Sequence, residues 1–340
     1  MACFIEFLPP KGNHAGNKAR VDINNICRDI NLKCVEKIEE EIFFSVINKI
    51  KYMMSPKNIY KILSIMTRRT DVTILQYPFY FNPFMKYALK SYVKHNKTIL
   101  LIHDVDSLRN FAKSTIQTEV SLFNEADVLI VHNAKMKEKL INIGVSVPMV
   151  ELEIFDYLLD DISSNLKMEA DVAFAGNLSK SVFLNELNNI GININLYGPG
   201  YNEFMKGDNV IYKGCYPPDK VPYVLDAKFG LIWDGNSLLT CNGETGEYLK
   251  YNNPHKLSLY IAAGLPVIVW DDSAIAEFVL VNNIGFTVSN IFEIKEVISN
   301  ITPSEYENMK NNVFDIQKKI CKGVYTKIAI QKALSMIGQK

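Results

Sequence analysis

The sequence predicts an α/β chain of two parallel-sheet domains, and three observations carry that expectation. Short β-rich apolar runs recur between longer amphipathic stretches, the alternation expected of βαβ units whose sheet is covered on both faces. The alternation runs through the first half and again through the second, with the polar stretch Asp160–Met168 between them. At 340 residues and 48% hydrophobic, the chain can bury two cores at the usual ~100–200 residues per domain. Boundaries at 1–164 and 165–340 follow.

In the first half the strands are expected at Cys3–Leu8, Cys34–Ile38, Val72–Gln76, Ile99–His103 and Val128–His132. Amphipathic helices are expected at Lys18–Asn31, Pro83–His95, Ser107–Asn124 and Ala134–Ile141. The second half gives strands at Val172–Ala175, Ile194–Tyr197, Val210–Tyr212, Phe229–Trp233, Pro266–Trp270 and Gly285–Val288. Its helices fall near Ser179–Asn189, Pro218–Leu225, Lys256–Ala263, Ser273–Asn282 and Ile291–Asn300, and a last one, Tyr325–Ile337, is placed to pack back on the first domain. Both halves read as Rossmann-like domains with a cleft between them. Ligands of open α/β sheets sit outside the C-terminal strand ends, so the loops after those strands are where function is sought.

Composition removes several classes. Lys+Arg and Asp+Glu both number 37, so no overall positive field favours a nucleic-acid partner. Six cysteines, scattered without a CxxC pair, argue against a zinc knuckle or a secreted disulfide framework and for reduced thiols in the cytoplasm. The N-terminus MACFIEFLPPKGNHAG lacks a basic n-region and a long apolar run, so no signal peptide is read. Apolar runs such as Thr98 to Ile102 have strand length, far below the ~20 residues of a membrane span.

Two constellations point to an anionic ligand. In AFAGNLSKS (173–181) a strand ends at Gly176, followed by Asn177, Ser179 and Lys180 at an expected helix start. A helix dipole and open N–H groups attract anions there, and Lys180 adds a full charge; an ordinary turn with Ser179 as N-cap is the competing reading. In GEYLKYNNPHKLSLYIAAGLPVIVW (246–270), Pro254 suits a first helical turn and Gly264 an end. A polar loop thus delivers Asn253, His255, Lys256 and Ser258 to a helix opening. A lysine there opposes the helix dipole, and an anionic ligand explains it better than helix stability does.

The second run resembles the donor-binding segment of bacterial GT-B glycosyltransferases, in the group of the streptococcal adhesin glucosyltransferase and the bacterial β-1,6-galactofuranosyltransferases. GNHAGNKARVDI (12–23), LLIHDVDSLR (100–109), ADVLIVHNAKM (126–136), AFAGN (173–177) and GLIWDG (230–235) extend the likeness over much of the chain. Each element is common in α/β proteins; their order and spacing are specific. The resemblance implies a GT-B fold, two Rossmann-like domains facing across a cleft, and a UDP-sugar donor. It assigns UDP contacts to Lys180, Tyr216 (in CYPPDK) and Lys256, with Gly176, Asn177, Asn253 and Ser258 beside them. Arginine stands at the Lys180 position in the adhesin enzyme, so a bidentate phosphate fork is lost here. Residues 13–18 match a loop facing the donor, where Ala15 and Gly16 stand instead of a hydroxyl residue. Homo-oligomerisation is implied by the resemblance alone.

His103 and Asp104 end a buried strand. Sugar transfer needs the acceptor hydroxyl deprotonated as it attacks, and a carboxylate or imidazole in reach takes that proton. Asp104 is the first candidate base and His103 the second; helix capping by the strand-end aspartate is the structural alternative. Asp104-Val105-Asp106 is formally a DxD, a metal-binding pattern of another glycosyltransferase fold, but two carboxylates are weak evidence for a cation. With Lys180 and Lys256 available for phosphate charge, metal-independent transfer without any cofactor is expected.

From 42 to 70 there are six basic residues (Lys49, Lys51, Lys57, Lys61, Arg68, Arg69) and no acidic one, interleaved with apolar side chains. Such a stretch suits peripheral contact with anionic lipid at the inner face of the plasma membrane, or a helix with a solvated basic face. The expected function is hexose transfer from a UDP-sugar to a glycan, lipid-linked oligosaccharide or glycoprotein hydroxyl. The alternatives are a non-catalytic glycan-binding or partner subunit and a nucleotide-sugar-modifying or dinucleotide-dependent enzyme. The last would need GxGxxG after the first strand, where Gly12 to Gly16 offers only GxxxG.

Overall fold

The structure, a computed structural model, describes residues 2–8, 15–39, 55–110, 113–162 and 168–337. The chain folds into two compact units: Met1–Gly12, Arg20–Leu152 and Thr326–Lys340 form the first, Asn13–Ala19 and Glu153–Tyr325 the second. The division falls at 152/153 rather than 164/165. Ile154 and Tyr157 sit in a hydrophobic core with Leu257, Tyr260 and Ile320, so the chain has entered the second unit before the polar stretch begins.

The first unit is a six-stranded parallel sheet in the order β2-β1-β3-β4-β5-β6. Its strands are β1 (Ala2–Leu8), β2 (Lys33–Glu39), β3 (Val72–Tyr77), β4 (Thr98–Ile102), β5 (Val128–Val131) and β6 (Met149–Glu151). The order reverses between β1 and β3, the kind of switch point at which open sheets bind ligands. Every residue of β4 and β5 is buried, as a strand covered on both faces must be. The helices Pro56–Thr67 and Pro83–His95 start by one device: a proline at the first position and a polar cap, Ser55 accepting from Asn58 N and Asn82 from Met85 N. The expected helix Ser107–Asn124 is helical over Asp106–Asn110 and Lys113–Asn124, residues 111–112 lying outside the described residues. Of the basic stretch, residues 42–54 lie outside the described residues, and Pro56–Thr67 is the helix of the alternative reading.

The second unit carries the sheet β12-β11-β10-β7-β8-β9, all parallel. Its strands are β7 (Ala170–Ala175), β8 (Ile194–Tyr197), β9 (Val210–Gly214), β10 (Ala227–Ile232), β11 (Val267–Trp270) and β12 (Gly285–Val288). Counted from β7 this is the 3-2-1-4-5-6 order of a Rossmann sheet, with its switch point between β7 and β10. Side chains alternate between two cores: Ala173, Ala175, Val267 and Val269 face one, Val172, Phe174, Ile268 and Trp270 the other.

One helix expectation of this unit changes. Ser179–Asn189 is no α-helix but two 3-10 segments, Leu178–Lys180 and Val182–Asn189. Ser181, Asn185 and Asn188 are of residue types whose side chains compete for backbone groups, and buried Leu178, Phe183, Leu184 and Leu187 set the path instead of a helical stripe. Conversely, the 18-residue helix Pro303–Ile320 is absent from the expected elements. It opens with a capping box, Thr302 and Glu305, and buries Val313, Ile316, Gln317 and Ile320 on one face.

Candidate active site

In the second unit, the ends of β7, β8 and β9 surround a cavity of about 340 Å³, within the range of small-molecule sites. Gly176 and Asn177 follow β7, Gly198 and Pro199 follow β8, and Cys215 and Tyr216 follow β9; Pro254, His255 and Lys256 close it from the opening of the helix His255–Ala262. Glycine is required twice. A Cβ on Gly198 (φ +128°) would lie 1.9 Å from the Gly176 carbonyl oxygen, and one on Gly230 in β10 would lie 2.2 Å from the Tyr260 ring. The Tyr260 hydroxyl accepts from Ala175 N at 2.8 Å, so the helix that opens on the cavity also pins the strand end beneath it.

Lys256 extends across this floor. Its Nζ donates to Asp234 Oδ1 at 2.7 Å and to the Trp233 carbonyl at 3.2 Å, and lies 4.6 Å from the centroid of the Phe174 ring. The contact joins the end of β7 to the loop after β10, across the switch point. Tyr216 lines the cavity and is partly exposed, its hydroxyl donating to Lys213 O at 3.0 Å.

His255 is the residue whose role the sequence leaves unassigned. Its ring stacks on Phe155 at 4.7 Å, and both ring nitrogens are buried without a hydrogen-bond partner. Burial, then the neighbouring Lys18 charge, pushes its pKa down to about 4. It is a neutral imidazole with an unmet donor and an unmet acceptor beside the cavity. Such groups are rare in folded proteins and ask for a partner.

The other expected donor residues divide. Gly176, Asn177, Tyr216 and Lys256 line the cavity. Asn253 and Ser258 do not: they are 3% and 1% exposed, and donate to the carbonyls of Glu153 and Phe155, tying the incoming chain to the helix opening. Lys180 is exposed and is not among the lining residues. The open N–H cradle expected at Gly176–Lys180 is largely closed, because the N–H groups of Gly176, Leu178, Lys180 and Ser181 all donate to backbone carbonyls. Gly16 lies in the first turn of Ala15–Asp29, while residues 9–14 lie outside the described residues. From the same turn Lys18 donates to Leu158 O at 2.8 Å, pairs with Asp219 at 3.0 Å and sits 4.9 Å from the Tyr157 ring centroid.

In the first unit, His103 and Asp104 follow β4 beside its switch point. His103 Nε2 is 2.7 Å from Gln76 Oε1. Gln76 Nε2 donates to the Arg20 carbonyl and to Asn24 Oδ1, which leaves its oxygen to accept, so His103 carries a proton on Nε2. Asp104 pairs with Arg109 at 3.5 Å. The next helix is capped from elsewhere: Glu119 accepts from Asp106 N and Ser107 N at 3.0 and 2.8 Å and from the Tyr77 hydroxyl at 2.7 Å. Burial and then Glu119 raise the Asp106 pKa; burial, then Asp104 and Asp106, raise that of Tyr80. No group of three or more metal-ligating side chains occurs among the described residues.

Two family models cover most of the chain. One described as "Glucosyltransferase 3-like, N-terminal domain" matches residues 3–154, and one described as "Glucosyltransferase 3-like, C-terminal domain" matches 172–333. The chain belongs to the glucosyltransferase 3-like family. The β-1,6-galactofuranosyltransferase WbbI of Escherichia coli is 35% identical over 250 residues, 70% of this chain and 71% of that protein. Glucosyltransferase 3 of Streptococcus gordonii is 26% identical over 263 residues, 76% and 77% of the two chains. Among solved structures, HepE of Anabaena, in complex with UDP-glucose, matches with a TM-score of 0.58 at 12% identity over 100% of both chains. The glucosyltransferase 3-like chain is a glycosyltransferase of GT-B fold, as the resemblance implied.

Proposed function

We propose that the chain transfers a hexose of glucose, galactose or galactofuranose type from a UDP-sugar to a hydroxyl of a glycan, lipid-linked oligosaccharide or glycoprotein, without a metal ion. The cavity of the second unit carries the reading, because one floor offers an aromatic face, a cation and a neutral imidazole. Tyr216 stacks on the uracil, and Lys256 neutralises the diphosphate from the helix opening, where the dipole adds to its charge. His255 gives its unmet hydrogen bond to the donor. Lys180, three residues beyond the lining Asn177, is assigned the outer phosphate as a rim cation. The leaving UDP is stabilised by these groups rather than by a bound cation. Asp104 takes the acceptor proton, with His103 as the second candidate. UDP-glucose bound to HepE and the sugars in the relatives' names favour this donor class.

The test is calorimetry of the intact chain with UDP, UDP-glucose, UDP-galactose and UDP-galactofuranose, followed by turnover assays with and without EDTA. Binding of UDP with turnover unaffected by EDTA is expected. No binding of any uridine nucleotide would remove the reading. Binding without hydrolysis or transfer would leave a non-catalytic sugar-nucleotide subunit.

A further inference from the structure

The chain as a whole is charge-balanced, but residues 55–103 are not. They contain eight Lys or Arg (Lys57, Lys61, Arg68, Arg69, Lys86, Lys90, Lys94, Lys97) against one acidic residue, Asp71. The same segment presents large apolar side chains to solvent: Tyr60 is 76% exposed, Tyr87 65%, Leu63 54% and Phe84 51%, with Ile59 and Tyr80 also exposed. All but Tyr80, which precedes the second helix, come from two helices that pack together, Pro56–Thr67 and Pro83–His95.

The topology places these side chains at one edge. Both helices connect to parallel strands of one sheet, and in a right-handed βαβ crossover each helix runs opposite to its strands. Each helix therefore begins at the C-terminal strand edge. Ile59, Tyr60, Phe84 and Tyr87 lie in the first two turns of their helices, at the edge where β4 delivers His103 and Asp104. Tyr80 belongs to the same edge, for its hydroxyl feels the charges of Asp104 and Asp106. Lys57 and Lys86, in the first turns of the same helices, are exposed and hold no ion pair among the described residues. Aromatic rings with one apolar and one polar end suit the headgroup boundary, and unpaired lysines suit a negative surface.

We propose that this rim docks on an anionic lipid bilayer, with the aromatic side chains of the two helix openings entering the headgroup layer and Lys57 and Lys86 meeting lipid phosphates. The inference rests on the reading of Asp104 and His103 as the acceptor end only for its consequence: an acceptor carried by the membrane arrives at the edge that touches it. The charge segregation selects this occupant over a second copy of the chain, because two such rims would repel each other.

The full chain is sedimented with vesicles of phosphatidylcholine alone and of equal phosphatidylcholine and phosphatidylglycerol. Binding to the anionic vesicles only, reversed at high salt, is expected. Each lysine near such a surface is worth roughly fivefold, so K57E/K86E should weaken binding by at least about twentyfold, and Tyr60→Ser with Tyr87→Ser by a further large factor. UDP calorimetry on the same variants, expected to be unchanged, reports folding and keeps this test separate from that of the donor site. Equal binding to both vesicle types, no binding, or undiminished binding by the folded variants would overturn the proposal. So would a dimer that dissociates in the tyrosine variants while no vesicle binding is seen.

Discussion

The ammonium of Lys256 is held 2.7 Å from the carboxylate of Asp234, so the cation expected to face a diphosphate already has an anionic partner. Ion pairs of partly buried groups exchange partners when a better-charged ligand arrives, and a diphosphate carries more charge than one carboxylate. Lys256→Ala should weaken UDP binding at least tenfold, the usual worth of a charge-assisted hydrogen bond being about 1.5–3 kcal/mol. Asp234→Asn should move affinity the other way, tightening UDP a few-fold by removing the competitor. Calorimetry on both variants checks the pair, and an equal loss in both would mean that Asp234 positions Lys256 rather than competing for it.

His255 ties the cavity to pH. Its folded pKa, about 4, lies below the ordinary 6.5, so the unfolded chain binds the extra proton between those values. Its stabilising contribution is therefore complete above pH 6.5 and is lost as pH falls toward 4. Between pH 7 and 5 the expected loss is about 2 kcal/mol. Urea unfolding of the wild type and of His255→Phe at the two pH values isolates this share, since the other titrating groups cancel. A variant with the same pH slope as the wild type would disprove the assignment.

The unequal legibility of fold and site has a physical cause. Short continuous apolar runs and their bounding turns are local, so all eleven expected strands stand where the pattern places them; β6, three residues long, carries too little pattern to read. The helix Pro303–Ile320 does announce itself in its Thr302–Pro303–Ser304–Glu305 opening, a capping signal that a search for apolar periodicity passes over. Side-chain destinations are not local. Lys256 lines the cavity as expected because a helix opening fixes its direction, whereas Asn253 and Ser258, from the same run, turn to the carbonyls of Glu153 and Phe155 about a hundred residues away. His255 shows its meaning only when both nitrogens are found unpartnered.

Asp104 and His103 predict a division of labour. With helix capping done by Glu119, Asp104→Asn should leave stability nearly unchanged, while turnover falls by about 10²–10⁴, the range of general-base loss. His103→Asn should cost less, and UDP affinity should stay at the wild-type value in both. Steady-state turnover together with UDP calorimetry separates the two residues. A larger loss for His103 would exchange their roles.

Cys215 offers a footprint that needs no substitution. It is the exposed cysteine of the chain and lines the cavity, while Cys3, Cys27, Cys241 and Cys321 are buried and Cys34 is intermediate. Iodoacetamide should modify Cys215 first, and saturating UDP should slow that modification several-fold. Peptide mass mapping after a short exposure reads both, and equal labelling with and without UDP would place the nucleotide elsewhere.

Gly230 predicts the cost of disturbing the support under the site. A methyl group there would meet the Tyr260 ring at 2.2 Å, and that ring is fully buried with its hydroxyl bonded to Ala175 N. The ring cannot yield without releasing the end of β7, so Gly230→Ala should destabilise the chain by about 1–3 kcal/mol, the range for overpacked cores. Tyr260→Phe keeps the ring and leaves the Ala175 N–H unpaired, for a loss of about 1–3 kcal/mol. The two substitutions differ at the cavity: Gly230→Ala displaces the helix that carries His255 and Lys256 and should weaken UDP binding, while Tyr260→Phe leaves that helix in place. Thermal unfolding and UDP titration of both variants test the argument, and a Gly230→Ala chain as stable as the wild type would show that Tyr260 has room the packing denies it.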